Sequence, residues 1–362
     1  MHPSPSFLLT MKVTLMALRA VGLSTHIYNN HIKSALLLCG YPVLILLMVW
    51  AFFMTIGYQM NPDKETFSYI VQRSFKETLS HFHWVLLFTA GWFTIAYFFH
   101  ARMIRAATGS VPVTRKQYPK IYNMLENLCI SRGITMPRFE IIDSPSLNAF
   151  ASGLNKSNYT ITLTRGIIDA LQDDELEAVI AHELTHILNR DVRLLVIGVI
   201  FVGMISFLAE FLFRMLIHGR GSHSRYRSSR SSGDNKGGGI MIVALIILVI
   251  GYLFAVLIRF SISRKREYLA DAGAVELTQN PEGMMRALMR IDGRDQIKDM
   301  PNDIQQMCIE NSHNFMGVFA THPSIDDRIQ TLSDMTNTPV PTLPVSLRRP
   351  PKRPWGEPPS AE

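Results

Sequence analysis

The stretch AVIAHELTHILNRD, from Ala178 to Asp191, places two histidines four residues apart and a glutamate directly after the first. In an α-helix with about 3.6 residues per turn, His182 and His186 lie on one face and Glu183 is turned about 100° to the side. Two imidazoles at this spacing can bind one zinc ion, and the adjacent carboxylate can then take a proton from water. An ordinary helix with two hydrogen-bonded histidines is the alternative, which five residues alone do not exclude.

A catalytic zinc site needs a third protein ligand, and the segment from Ser261 to Leu277 offers two acidic side chains one helical turn apart. Glu267 is a candidate ligand. Asp271 is a candidate acceptor for the ring N–H of a ligating histidine, a contact that would fix the orientation of the imidazole. The alternative is a solvated helix face beside three basic residues, and composition does not decide between the two.

The composition indicates a membrane protein, because 48% of the 362 residues are hydrophobic and only 18% are charged. Four apolar segments are candidates to span a bilayer, at 36–58, 84–99, 194–217 and 240–258. We therefore predict about four transmembrane helices and contact with the lipid bilayer. The net charge of +7 is spread over the flanks of these segments, a pattern typical of contact with anionic lipid rather than with nucleic acid.

The predicted spans divide the chain into six parts, which are an N-terminal arm (1–35), a transmembrane hairpin (36–99), a first catalytic segment (100–193), a second hairpin (194–260), a second catalytic segment (261–335) and a proline-rich tail (336–362). The tail is predicted to be disordered because so many prolines prevent a packed core. β-Branched alternation between turn residues in the first catalytic segment predicts two or three strands. The expected fold is mainly α with a small β-sheet, in a polytopic membrane protein.

The positions of the candidate ligands relative to the predicted spans form a separate argument. His186 precedes the third span, which starts at Leu194, by eight residues, and Glu267 follows Arg259, at the end of the fourth span, by eight. If both stretches are helical, each donor lies about 12 Å from the membrane edge on the same side. Two antiparallel spans would thus bring the three ligands to one height.

Taken together, the motifs resemble the HtpX family of membrane-integrated zinc metalloproteases, which is related to the CAAX prenyl proteases. AVIAHELTHI is similar to the zinc helix of that family, SRKREYLADAGAVEL to its third-ligand helix, and NAFASG and THPSIDDRI to two further motif regions. The resemblance covers roughly Ser110 to Leu332. It implies a zincin-type (gluzincin) catalytic domain and one zinc ion per chain, bound by His182, His186 and Glu267, with Glu183 as the general base.

Three further regions are candidates for roles in substrate binding or catalysis. The resemblance favours Asn148 and Ala149 as substrate-binding residues on an edge strand that pairs with an extended peptide, and a plain core strand is the alternative. His322 is a candidate donor to the oxyanion of the tetrahedral intermediate, as implied by the family, or a structural residue at the start of the last helix. Arg328 is predicted to bind a carboxylate in the core of the site, in a substrate-binding role.

These features predict a zinc endopeptidase that hydrolyses peptide bonds of membrane, membrane-associated or unfolded proteins, in membrane protein quality control. A CAAX prenyl protease shares the site but carries more spans than the four predicted here. A noncatalytic membrane scaffold would have no use for the base. Lys and Arg near the span ends are more numerous on the catalytic side, and with the resemblance they favour a cytoplasmic site in a bacterial inner membrane. The sequence gives no oligomeric state.

Overall fold

The computed structural model describes residues 38–54, 66–200, 265–292 and 323–343, together with 32, 35, 36, 57, 203–205, 214, 249, 251, 294 and 308. The chain forms two compact units. Unit 1 comprises Met1–His100 and Leu194–Ile262, and unit 2 comprises Ala101–Arg193 and Ser263–Glu362. Most of the predicted N-terminal arm, most of the second hairpin, His322 and the tail beyond 343 lie outside the described residues.

Unit 1 is helical in its described part. Helix α1 (Leu38–Met54) lies within the first predicted span, and α2 (Phe67–Thr108), which continues into unit 2, contains the second. Among the described helices, α2 is the one long and apolar enough to cross a membrane. Its 42 residues extend about 63 Å, and large apolar side chains such as Phe98, 71% exposed, cover its surface. Of the four predicted spans, the described part of the chain thus shows one candidate, which contains the second predicted span.

Unit 2 contains a four-stranded mixed sheet in the order β1-β2-β4-β3. The strands are β1 (Val111–Pro112), β2 (Arg138–Ile142), β3 (Ala149–Ser152) and β4 (Thr160–Thr164). Strands β2 and β4 are parallel, and the other two pairs are antiparallel. All five residues of β4 are buried because apolar side chains alternate with threonines between two covered faces. The expected small sheet is present.

Among the described strands, β3 is at one end of the sheet, as predicted for the NAFASG segment. On its other side Phe150 forms an antiparallel bridge with Cys308. The turn that joins β3 to β4 depends on Gly153, which has φ 125°. A Cβ at this position would lie 2.7 Å from the carbonyl oxygen of Asn158, so a side chain would open the turn.

In the part of unit 2 that the structure describes, the helices that pack on the sheet or on one another are α3 (Pro119–Arg132), α4 (Arg165–Ala170), α5 (Asp173–Leu188), α7 (Lys265–Thr278), α8 (Pro281–Ile291) and α9 (Ile325–Thr336). Residues 191–200, α6, are also helical and lead from unit 2 into unit 1. Helix α5 carries the His-Glu-x-x-His pattern and is buried from Ala178 to Ile187. It contacts α7, α8, α3 and β3, so it is the central element of unit 2.

A buried ion cluster fixes the start of α5. The Glu175 side chain is 0% exposed, and its carboxylate accepts the backbone N–H of Gln172 at 2.9 Å. Nε of Arg290, from α8, lies 2.8 Å from the same carboxylate, and Nε of Arg286 lies 3.4 Å away. The exposed Glu282 pairs with Arg286. The negative charge at the N-terminus of α5 is thus matched by the helix dipole and by two guanidinium groups.

Candidate metal centre

The two histidines of α5 present their Nε2 atoms to each other at a distance of 3.1 Å. Glu267 enters from the first turn of α7, and its Oε2 lies 3.8 Å from Nε2 of His182 and 3.7 Å from Nε2 of His186. A tetrahedral zinc ion with bonds of about 2.0–2.2 Å keeps its donors roughly 3.3–3.6 Å apart. The three observed separations lie close to that range, so these donors fit a bound metal ion.

The burial of Glu267 decides between the two interpretations of its helix. Its side chain is 1% exposed, which excludes the solvated helix face. Nε of the neighbouring Arg266, also buried, lies 3.2 Å from Oε1 of Glu267. Since Oε1 is held by the guanidinium, Oε2 is the carboxylate atom directed at the two imidazoles.

A close approach between α5 and α7 brings the three donors together. Gly273 of α7 lies against Thr185 of α5, and a Cβ added at Gly273 would meet Cγ2 of Thr185 at 2.4 Å. Only a residue without a side chain permits this contact. The glycine therefore sets the distance between the helix that carries His182 and His186 and the helix that carries Glu267.

Each imidazole has a carboxylate at its other ring nitrogen. Nδ1 of His182 lies 3.0 Å from Oδ1 of Asp271, and Nδ1 of His186 lies 3.1 Å from Oδ2 of Asp191. A carboxylate at Nδ1 holds the ring proton there and leaves the Nε2 lone pair for a metal. The position of Asp271 agrees with the sequence interpretation, whereas Asp191 was not identified although it belongs to the quoted stretch.

Arg328 lies behind the first of these pairs. Its side chain is 0% exposed, and Nε and Nη2 donate to Oδ2 and Oδ1 of Asp271 at 2.9 and 2.6 Å. Burial raises the pKa of Asp271, but the guanidinium, together with His182, outweighs it and lowers the pKa to about 2. Arg328 does bind a carboxylate, but it is that of Asp271. This geometry favours a positioning role for Arg328 over the predicted contact with substrate.

Glu183 is 1% exposed. It lies beside the donor triangle, which is formed by Nε2 of His182, Nε2 of His186 and Oε2 of Glu267. The backbone N–H of Ala151, on β3, donates to the Glu183 carboxylate, and Oε1 of Glu183 has no hydrogen-bond partner among the described residues. Burial, with a contribution from the Glu267 charge, raises the pKa of Glu183 to about 7. A carboxylate with a free acceptor atom and a pKa near neutrality is suited to exchange protons with water.

The two histidines have opposite pKa shifts in the metal-free chain. Burial lowers the pKa of His182 to about 4. Burial also acts to lower that of His186, but the Glu267 and Asp191 carboxylates outweigh it and raise the pKa to about 10. At neutral pH, His182 is therefore neutral and His186 carries a proton between two carboxylates.

The predicted substrate-binding residues lie at the start of β3. The backbone N–H of Asn148 donates to Oγ1 of Thr164, and its carbonyl accepts the N–H of Thr164, so the backbone of this residue is directed at β4. Its Oδ1 accepts the N–H of Ala149. Two positions further, Ala151 contacts the Glu183 carboxylate. The end strand of the sheet thus runs beside the acidic residue of the centre, and the roles of Asn148 and Ala149 stay predictions.

A helix with two histidines and an adjacent acid, a third acidic donor from a second helix and a strand beside that acid together define a site of the metallopeptidase class. Comparisons with known proteins agree. The family description "Peptidase family M48" matches residues 115–336. The chain is 41% identical over 322 residues to a protein from Bacteroides fragilis (strain YCH46) named "Protease HtpX homolog". The aligned region covers 86% of this chain and 98% of that protein.

A second relative, the "Protease HtpX homolog" of Listeria monocytogenes serotype 4a, is 37% identical over 229 residues, 61% of this chain and 75% of that protein. Among solved structures, the S. mikatae Ste24p crystal structure matches with a TM-score of 0.41 and 18% identity over 90% of this chain and 74% of that chain. The chain belongs to peptidase family M48. It is a metalloprotease, which confirms the resemblance to the HtpX family and decides against a noncatalytic scaffold.

Proposed function

We propose that this chain is a zinc-dependent endopeptidase of a membrane, with one zinc ion held by His182, His186 and Glu267. The observation that carries the proposal is the donor triangle itself, with separations of 3.1, 3.7 and 3.8 Å and with Glu183 buried beside it. Two nitrogen donors, one carboxylate and an open fourth position favour zinc over harder cations. The bound ion would supply Lewis acidity at that open position.

Glu183 is the proposed general base. As the oxygen of the attacking water bonds to the scissile carbonyl carbon, Glu183 takes one proton from the water. It then gives this proton to the leaving nitrogen as the C–N bond breaks. A pKa near 7 suits both steps, because the carboxylate must accept and return a proton within one turnover. The bond from the Ala151 N–H holds the carboxylate beside the end strand of the sheet.

An extended substrate strand is proposed to lie along β3, near Asn148 and Ala149. Main-chain pairing at a strand edge recognises polypeptide without demanding a particular sequence, as a peptidase acting on damaged or unfolded proteins requires. The apolar helix α2 supports membrane integration. Substrates would accordingly be membrane or membrane-associated proteins. We further propose four spans, a cytoplasmic metal centre and a role in membrane protein quality control, in a bacterial inner membrane.

The proposal is tested by the variant Glu183→Gln, with Glu177→Gln as the matched control on the same helix outside the site. Purified zinc-loaded protein is incubated with casein, with and without a chelator, and its zinc content is measured. We expect wild type and Glu177→Gln to cleave casein only without chelator, and Glu183→Gln to lose at least about a hundredfold in rate while keeping its zinc. Substantial cleavage by Glu183→Gln would remove this residue as the base.

A further inference from the structure

The carboxylate of Asp191 lies on the far side of the His186 ring from the metal donors. Its Oδ2 is 3.1 Å from Nδ1 of His186, and the residue is 1% exposed. With Nδ1 held in this way, Nε2 of the same ring is directed at the Nε2 of His182 and at Oε2 of Glu267. A buried carboxylate at Nδ1 thus constrains both the tautomer and the rotation of His186.

Asp191 reaches His186 because the helix is interrupted between the two residues. In an uninterrupted helix Asp191, five residues after His186, would be turned about 140° away from it around the axis. Helix α5 instead ends at Leu188, and Arg190 has φ 61° before α6 starts at residue 191. This left-handed residue redirects the chain, so that the Asp191 carboxylate returns to the histidine.

The two histidines are therefore supported by different means. Asp271 reaches His182 from α7 and is itself held by Arg328 of α9. Asp191 reaches His186 from the same segment of chain, through a two-residue turn. A left-handed conformation is unfavourable for an L-residue with a side chain, whereas glycine adopts it freely. The turn is thus maintained against a backbone preference at a position where it delivers a carboxylate to the metal centre.

We propose that Asp191 is a positioning residue of the metal centre, which holds the His186 ring in its metal-binding orientation, and that the left-handed turn at Arg190 places it there. The proposal rests on the metal centre proposed above. The turn at residues 189–190 is then part of the metal centre and not merely the link between α5 and α6. Removing the carboxylate should weaken metal binding without removing a metal ligand.

The test is the zinc affinity of the full-length metal-free protein, measured by competition with a chromophoric chelator. For Asp191→Ala we expect a 10- to 100-fold weaker Kd. Asp191→Asn should fall between this value and wild type, since its amide oxygen still accepts the ring N–H but carries no charge. Arg190→Gly should bind zinc as wild type does, because glycine preserves the turn. Arg190→Val should weaken binding, because a β-branched residue opposes φ > 0.

A second measurement separates positioning from a purely structural role. The visible absorption spectrum of the cobalt(II)-loaded protein reports the geometry around the ion, and we expect it to change in Asp191→Asn and to be unaltered in Arg190→Gly. If the Asp191 variants match wild type in cobalt spectrum and, within twofold, in zinc Kd, the positioning role of Asp191 is wrong. The proposed metal centre would still stand. A wild-type chain that takes up no zinc would instead contradict the proposed metal centre.

Discussion

At the residue scale, the metal centre gathers charged groups that are costly to bury unless each has a partner. Asp271 is compensated by Arg328. In the metal-free chain, Glu267 faces both the Arg266 guanidinium and the proton on His186, and Asp191 faces the same proton. A metal ion held by His182, His186 and Glu267 would take the place of that proton and would supply positive charge to the site. Metal binding and proton binding at this site are therefore linked.

This linkage has a definite sign. His186, with a pKa of about 10, must lose a proton to bind metal, whereas His182, with a pKa of about 4, is already neutral at pH 7. Zinc uptake at pH 7 should release about one proton per chain, and zinc affinity should rise about tenfold per pH unit up to roughly pH 10. Calorimetry of zinc binding in buffers of different ionisation enthalpy measures this release.

Glu183→Gln is the control in that experiment, since it removes any proton that the nearby Glu183, with a pKa of about 7, would add. The release should then come close to one. Zinc binding without proton release by this variant would show that His186 is neutral before the metal arrives.

At the scale of elements, the geometry of the site depends on how closely α5 and α7 approach. Gly273 and Thr185 form the contact between them. We expect Gly273→Ala to push the helices apart, move Glu267 away from the histidines and weaken zinc binding by at least tenfold, because the donor separations match a single ion so closely. Metal analysis and chelator competition on the purified variant measure the effect.

A compensating substitution makes this prediction specific. Thr185→Ala removes both Cγ2 and Oγ1, the two side-chain atoms that a new Cβ would approach most closely. The double variant Gly273→Ala, Thr185→Ala should recover most of the lost zinc affinity, giving a favourable interaction in the double-mutant cycle. Purely additive effects would mean that helix separation is not what Gly273 controls.

The ion cluster at the start of α5 gives a stability prediction at the same scale. Glu175→Ala leaves the buried Arg290 without its carboxylate, and the loss of one partner from a buried pair costs about 3–5 kcal/mol. The exposed Glu282, paired with Arg286, is the matched control, and its replacement by Ala should cost less than about 1 kcal/mol. Thermal unfolding of both variants measures the difference, and equal losses would contradict the importance of burial here.

The elements differ in how far their sequences determine them. The His-Glu-x-x-His spacing predicted the face of α5 correctly, since helical periodicity is local, and the alternating segments predicted the small sheet. The contacts of Arg328 with Asp271 and of Ala151 with Glu183 were not predicted, because they join residues far apart in the chain. Asp191 is near in sequence but was missed, since helical geometry places it on another face. Only the left-handed Arg190, an atypical conformation for arginine, brings it back.

At the scale of the whole molecule, four spans are proposed, with both catalytic segments on one side of the membrane. This arrangement follows from the need of His182, His186 and Glu267 to reach one ion. Single cysteines in a chain whose own three cysteines are replaced would report it through a membrane-impermeant thiol reagent. Introduced at the exposed positions Lys156 and Asp334, they should be protected in intact cells and react after permeabilisation.

Cysteines at Asp63 and Ser228, in the two predicted connections on the opposite side, should react in intact cells without permeabilisation. Their reagent accessibility is the internal control, because it shows that the reagent reaches the outer face and that the variants are inserted. Labelling of the Lys156 and Ser228 positions from the same face would exclude the four-span arrangement.

The most direct measurement is X-ray absorption at the zinc edge of the full-length protein loaded with one equivalent of zinc. Two imidazole nitrogens and a carboxylate oxygen should appear at about 2.0–2.2 Å, together with one further light atom. The variant Glu267→Ala should lose the carboxylate contribution and most of its bound zinc. A spectrum with sulfur at about 2.3 Å, or one unchanged by Glu267→Ala, would contradict a centre built from His182, His186 and Glu267.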